Sequence, residues 1–244
     1  MLFANQTQVE QLMKVMINTF AMSGLTLATS ILPLIFAMFL SEIRCKWFKN
    51  FVQTFTTVPN FISWVMVYSV AYSLFTNTGM VNSMLMNAGI ITTPIKFLDG
   101  DAHTWAFMLI WYTWKTLGWG SIMYLASIAG VDQELYEAAR VDGAGRFTLM
   151  RHITLPALLP TFFVLLMLSI ANFLNNGLDQ FYVFQNSFNK EHIQVLDLYV
   201  YNVGMTARSP SLATAIGMLK SIVSVTLLFI VNNISKKLRG ESII

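Results

Sequence analysis

The stretch EAARVDGAGRFTLMRHITLP, from Glu137 to Pro156, decides how the rest of this chain is read. It lies between two long apolar runs. Yet Glu137, Arg140, Asp142, Arg146, Arg151 and His152 fall within sixteen residues of a chain that is only 11% charged. Charge at that density does not lie in lipid, so the segment is predicted to be a structured loop facing an aqueous partner. Its local pattern is helix, turn, helix, over about residues 131–154. Asp132 can accept hydrogen bonds from the free N–H groups that open a helix, and Glu134 and Glu137 suit the positive end of its dipole. Leu135, Ala138, Ala139 and Asp142 recur at helical spacing, and the paired alanines let another surface approach the backbone. Gly143 is expected to end this helix in the left-handed conformation that glycine adopts without steric cost. A second short helix is expected from about Arg146 to His152, ending at Thr154-Leu155-Pro156, with Pro156 suited to the first turn of the helix that follows.

Composition says where the rest belongs. Of the 244 residues 55% are hydrophobic, and the charged share is well below the roughly one quarter of an ordinary soluble domain. The excess apolar surface needs lipid. The net charge of +3 sits at membrane edges and forms no nucleic-acid patch. Cys45 is the only cysteine, which excludes an internal disulfide framework and a Cys-rich metal site. His103, His152 and His192 lie far apart without ligand spacing, so no metal site is expected. No nucleophile–base pair and no phosphate-binding glycine loop is present, and no catalytic residue is assigned.

The fold class is therefore all-α: a polytopic membrane bundle of about five transmembrane helices, one domain over residues 1–244. Residues 1–17 are mixed and mildly amphipathic. Spans are expected at Asn18–Leu40 with Pro33 as a kink, Phe51–Phe75, Thr104–Ile128, Leu155–Leu174 with Pro160, and Ser211–Ile234. Polar loops are expected over residues 76–103 and 175–210, and the tail KKLRGESII closes the chain. Arg44, Lys46, Lys49, Arg140, Arg146, Arg151, Lys236, Lys237 and Arg239 fall on one side; Lys14, Lys96, Lys190 and Arg208 fall on the other. Nine against four puts the charged loop and the C-terminus in the cytoplasm and the N-terminus outside.

Glu137-Ala138-Ala139, three residues, Gly143, nine residues, Ile153, one residue and Leu155-Pro156 resembles the cytoplasmic EAA loop of permease subunits in binding-protein-dependent ABC importers. Two further segments are similar to the LplB-type branch of the maltose-type, carbohydrate permeases: QTFTTVPNFISWV from Gln53 to Val65, and GWGSIMYLASIAGVDQELYEAARVDGA from Gly118 to Ala144. The resemblance thus covers nearly the whole chain. It implies a multi-pass protein of a prokaryotic plasma membrane that forms the path for a sugar or oligosaccharide. It implies as partners ABC ATPase subunits, a second permease subunit and an extracytoplasmic sugar-binding protein. ATP would be bound by the ATPase, so this chain needs no cofactor of its own and is no enzyme. In that family the loop docks into a cleft on the ATPase, which assigns coupling to Glu137, Ala138, Ala139, Asp142, Gly143, Ile153, Leu155 and Pro156. The chain departs from the pattern twice. Members commonly have six membrane helices, and this sequence starts where their first helix has passed; the alternatives are a truncated sequence or a five-helix variant, and an upstream extension encoding one more span is the expectation. Gln133 also stands where many members have proline, although Asp132 can still cap.

Polar and aromatic positions within the spans are candidates for the substrate path: Asn60, Trp64, Tyr68, Trp111, Lys115, Asn172 and Asn176. Each has a plainer alternative. Lys115 can snorkel, pair with a buried acid or carbonyl, or meet the substrate. Aromatic rings stack on sugar faces, and they also pack cores and mark membrane interfaces. Asparagines suit hydroxyl recognition, and they also suit a helix end leaving the membrane. The alternative function is a membrane scaffold or an ion-coupled secondary carrier. A carrier more often shows intramembrane acids, and none of the five expected spans contains Asp or Glu.

Overall fold

The computed structural model describes residues 6–98, 100 and 103–239, which are helical or connecting, with no strand among them. Of the N-terminal stretch 1–17 and the closing tail, residues 1–5 and 240–244 lie outside the described residues. The first apolar run forms α1 (Gln6–Thr29) and α2 (Leu32–Ser41). They separate at Ser30-Ile31 because Pro33 has no N–H to give the Thr29 carbonyl. The next run breaks more sharply. There α3 (Lys46–Thr57) tightens into a 3-10 turn at Val58–Phe61, and α4 (Trp64–Phe75) restarts behind Ser63, whose hydroxyl accepts from the Met66 N–H at 3.4 Å. Helix α5 (Met80–Asn87) lies inside the expected loop over residues 76–103. It is followed by α6 (Thr104–Ala129), then by α7 (Gln133–Val141), α8 (Arg146–Leu149) and α9 (Leu155–Ala171). The expected loop over 175–210 holds α10 (Asp179–Phe184), α11 (Lys190–Ile193), α12 (Leu196–Tyr201) and a π turn at Asn202–Thr206, before α13 (Pro210–Arg239).

Val9–Ser41, Arg146–Ala171 and Pro210–Asn233 are long and apolar enough to cross a membrane. Lys46–Phe61 and Trp64–Asn87, bent by 104°, make a fourth crossing if the pair is one broken span. At 26 residues α6 has the length, while its Trp, Tyr, Thr and Lys side chains make it less apolar than these runs. The result is a multi-pass all-α membrane protein.

The chain divides into two compact units, each with its own packing. One comprises residues up to Thr26, Ile62–Trp111 and Asn172–Leu227. Its core joins Met22 of α1, Val67 and Ala71 of α4, and Met108 and Trp111 of α6 to Phe181, Phe184, Ile193, Val195 and Leu198. Those last five residues correct the expectation of a polar loop after α9. The segment sets short groups of apolar residues between polar ones, so no long run announces it, yet these five side chains are almost fully buried. Side chain to backbone bonds tie the segment to α1 and α6, as burial requires. Gln180 donates to the Met108 carbonyl at 2.7 Å, Trp105 to that of His192 at 2.8 Å, and the Leu196 N–H to the Thr19 hydroxyl at 2.9 Å.

The other unit comprises Leu27–Phe61, Tyr112–Ala171 and the residues from Leu228 on. Leu34 and Ala37 of α2, Tyr124 of α6 and Leu158 of α9 form its core, and the Ser127 and Thr161 hydroxyls meet at 3.1 Å. Gly118 lets α6 press directly on the broken span, because a Cβ there would collide with the Thr56 carbonyl.

Candidate functional site

The charged loop between α6 and α9 folds as helix, turn, helix. The Asp132 carboxylate accepts from the Glu134 N–H at 3.0 Å and caps α7. At the far end Gly143 has φ +83°, the Gly143 N–H bonds the Arg140 carbonyl at 3.0 Å, and the Ala144 N–H bonds the Ala139 carbonyl at 2.9 Å. This pair of bonds is a Schellman motif, which satisfies carbonyls that the helix end leaves open.

Tyr136 anchors α7. It is buried, and its hydroxyl lies 3.0 Å from that of Thr154. The sequence reading placed Leu135 and Ala138 on the periodic face, but both are exposed, and Tyr136 with half-buried Ala139 turns inward. The missed signal was the i, i+3 spacing of Tyr136 and Ala139. The second expected helix does not stop at Thr154. Instead α8 continues through a π turn, Met150–Thr154, into α9, with the Leu155 N–H bonding the Met150 carbonyl. Pro156 has no N–H for the His152 carbonyl, and the wider turn gives its ring room. Ile153 and Leu155 are half-buried along this junction, and Pro156 is exposed. The outward side presents Glu134, Glu137, Ala138 and Asp142. It also presents the apolar Leu135 and two apolar residues that the sequence pattern does not single out, Val141 and Phe147, 88% and 73% exposed. Bare apolar groups ringed by charge suit docking onto another protein.

The candidate path residues fall into local groups. Lys115 and Asn60 meet: the Lys115 ammonium donates to the Pro59 carbonyl at 3.0 Å and to the Asn60 carbonyl at 2.8 Å. Both carbonyls are freed where the α3 segment ends, so the cation caps a helix C-terminus. Trp64, Tyr68 and Trp111 surround one ring, that of Phe184, with centroid distances of 6.4, 5.1 and 6.5 Å. Asn172 and Asn176 lie in the turn after α9, where the Asn175 amide donates to the Asn172 side-chain oxygen at 3.1 Å. The Asn176 amide donates to the Ser23 hydroxyl at 3.0 Å, and its side-chain oxygen is buried with no partner among the described residues. Asp197 ties this turn down. One carboxylate oxygen accepts from the N–H groups of Asn176 and Gly177, each at 3.0 Å, and the other pairs with Lys220 of α13.

A family model for the binding-protein-dependent transport system inner membrane component matches residues 29–240. Protein LplB of Bacillus subtilis (strain 168) is 43% identical over 229 residues, covering 93% of this chain and 71% of that protein. The polygalacturonan/rhamnogalacturonan transport system permease protein YteP of the same organism is 38% identical over 228 residues, covering 93% and 70%. A chain of a bacterial ABC transporter involved in import of the acidic polysaccharide alginate superposes with TM-score 0.89 at 30% identity, over 98% of this chain and 82% of that one. A chain from a bacterial alginate ABC transporter in complex with an alginate pentasaccharide-bound periplasmic protein gives TM-score 0.90 at 29% identity, over 99% and 83%.

Proposed function

We propose that this chain, which belongs to the family of binding-protein-dependent transport system inner membrane components, couples ATP hydrolysis on a separate subunit to passage of a sugar or oligosaccharide. It is a permease subunit of a sugar ABC importer and not an enzyme. Relatives at 43% and 38% identity and the superposition on alginate transporter chains carry that assignment. The observation that supports coupling is the build of the loop. An exposed apolar and acidic face on α7 is fixed at one end by the Gly143 turn and joined, through Tyr136 and Thr154, to the helix that continues as α9. A push on that face is delivered to a membrane helix through packed, hydrogen-bonded parts.

The partners of this reading are ABC ATPase subunits, a second permease subunit and an extracytoplasmic sugar-binding protein, with ATP held by the ATPase. The similarity to a chain crystallised with a periplasmic protein supports the last of these. The excess of basic residues beside α7 and α13 supports a cytoplasmic loop and C-terminus. For the path, Asn176 is favoured by its buried, unpartnered oxygen, an acceptor suited to a sugar hydroxyl. Asn172, Trp64, Tyr68 and Trp111 are assigned beside it as polar and ring surfaces. Lys115 and Asn60 shape the break in the span, since the Lys115 donors are directed at carbonyls.

Reconstitution tests this. Proteoliposomes holding this chain with its partner permease should take up sugar only when ATPase, ATP and loaded binding protein are all present. Uptake driven by an ion gradient without the ATPase would refute the assignment.

A further inference from the structure

On the inner side of α7 lies a cavity of about 360 Å³, the size of a small ligand or headgroup. Its walls come from the end of α2, the polar face of α3, the last turns of α6, the inner face of α7 and the π turn. Glu42, Lys49 and Arg140 all line it, and none of the three forms an ion pair or a side-chain hydrogen bond among the described residues. Gln53 and Gln133 add amide donors, and Leu125 and Ile128 provide an apolar wall.

These groups specify a ligand chemistry. A guanidinium and an ammonium from separate helices, with two amides, supply donors from several directions, whereas the acceptors of a carboxylate lie in one plane. A phosphate ester sets its unesterified oxygens, two in a diester and three in a monoester, and its ester oxygens tetrahedrally, and can meet donors from those directions together. Glu42 in the same space disfavours a bare anion and instead accepts from a hydroxyl or ammonium. We propose that this cavity binds a phosphate ester carrying its own hydrogen-bond donor. Lys49 and Arg140 take the phosphate, Glu42 takes the donor, and the connecting carbons lie against Leu125 and Ile128. A membrane phosphatidylglycerol headgroup and free glycerol phosphate share this chemistry. Either would bridge Lys49 of α3 and Arg140 of α7, and so hold the coupling helix to a membrane helix. That consequence rests on the coupling reading above; the binding itself does not.

Binding is measured without transport. The full chain carrying Cys45→Ser and Ser41→Cys, which places its only thiol on the cavity wall, is purified in phosphate-free maltoside micelles. It is then labelled with a water-soluble maleimide. Glycerol phosphate, or phosphatidylglycerol added as mixed micelles, should slow labelling saturably, while potassium chloride at the same ionic strength should not. Lys49→Gln or Arg140→Gln should raise the half-protecting concentration about tenfold, the effect of losing one charge-assisted contact. Protection by only one of the two probes supports the proposal and identifies the source. Protection by neither, equal protection by chloride, or unchanged half-protection in both charge variants overturns it. A variant that misfolds is revealed by its labelling rate without ligand, and saturability in the parent then decides. Loss of coupled uptake would leave all these readings intact.

Discussion

The Tyr136 hydroxyl stands 3.0 Å from the Thr154 hydroxyl, so the first helix of the loop is fastened to the π turn beneath α9. Tyr136→Phe keeps the ring in its buried place and leaves Thr154, itself buried, without that partner. The expected stability loss is about 1 kcal/mol, too small to unfold the bundle. Sugar transported per ATP hydrolysed should fall, because motion of α7 would no longer be passed on in full. The ratio of uptake to ATPase rate in proteoliposomes checks this, and an unchanged ratio removes Tyr136 from the coupling route.

Lys115 holds two carbonyls at the break between α3 and α4. Lys115→Met fills similar space but offers no donor. Leaving buried carbonyls unmet costs about 1–3 kcal/mol, partly offset by no longer burying a charge. Thermal unfolding in detergent should shift to lower temperature. An unchanged or raised melting temperature would mean the cation is needed for transport alone, which measuring uptake would then reveal.

How much could be read beforehand depended on whether the deciding partner was near in sequence. Asp132, Gly143 and the charge density of the loop are local signals, and each appears in the structure at the expected place. Thr104–Ile128 was legible as one helix because nothing inside it breaks the backbone, and α6 matches it to one residue. The partners of Lys115 and Lys220 were not legible. They are backbone carbonyls 55 and 56 residues away and a carboxylate 23 residues away. The segment around Asp197 was the largest miss. Its apolar residues come in short groups between polar ones, a pattern that reads as loop until Ile193, Val195 and Leu198 are seen inside a core.

Asp197 and Lys220 form a pair whose two members are not equally replaceable. Asp197 also accepts from two backbone N–H groups, whereas Lys220 lies within the apolar helix α13. Asp197→Asn strands the lysine, at a cost on the order of 3–5 kcal/mol. Lys220→Met leaves the carboxylate with its N–H donors and should cost less. The double variant should be more stable than Asp197→Asn alone. A double-mutant cycle on thermal stability tests the ordering, and equal single-variant losses contradict it.

At Gly118 α6 lies directly against the α3 segment, with the Thr56 carbonyl in the space a side chain would take. Gly118→Val therefore has to push backbone aside. Overpacking of this kind typically costs about 1–3 kcal/mol. The variant should show lower membrane levels and a lower melting temperature, while Gly217→Ala on α13, where a Cβ meets nothing within 4 Å, serves as the harmless control.

Gly143 distinguishes a conformational requirement from a steric one. A Cβ there meets nothing within 4 Å, yet φ is +83°, where a β-branched residue is strained by roughly 1–3 kcal/mol. Gly143→Val should relieve that strain by re-angling α7, with the bundle still folded because no core contact is touched. Glu137→Lys is the complement, reversing an exposed charge on the outward face without altering backbone conformation. Both variants should reach the membrane at near-normal levels and lose sugar uptake. In both, the ATPase should lose stimulation by the loaded binding protein or separate from the permease on purification. Gly143→Asn sharpens the comparison, since asparagine tolerates positive φ better than valine and should retain more activity. Uptake and stimulated ATPase measured together decide: normal values for both Gly143→Val and Glu137→Lys would mean the loop couples nothing. Equal loss in the Asn and Val variants would mean that glycine is needed there for something other than its backbone freedom.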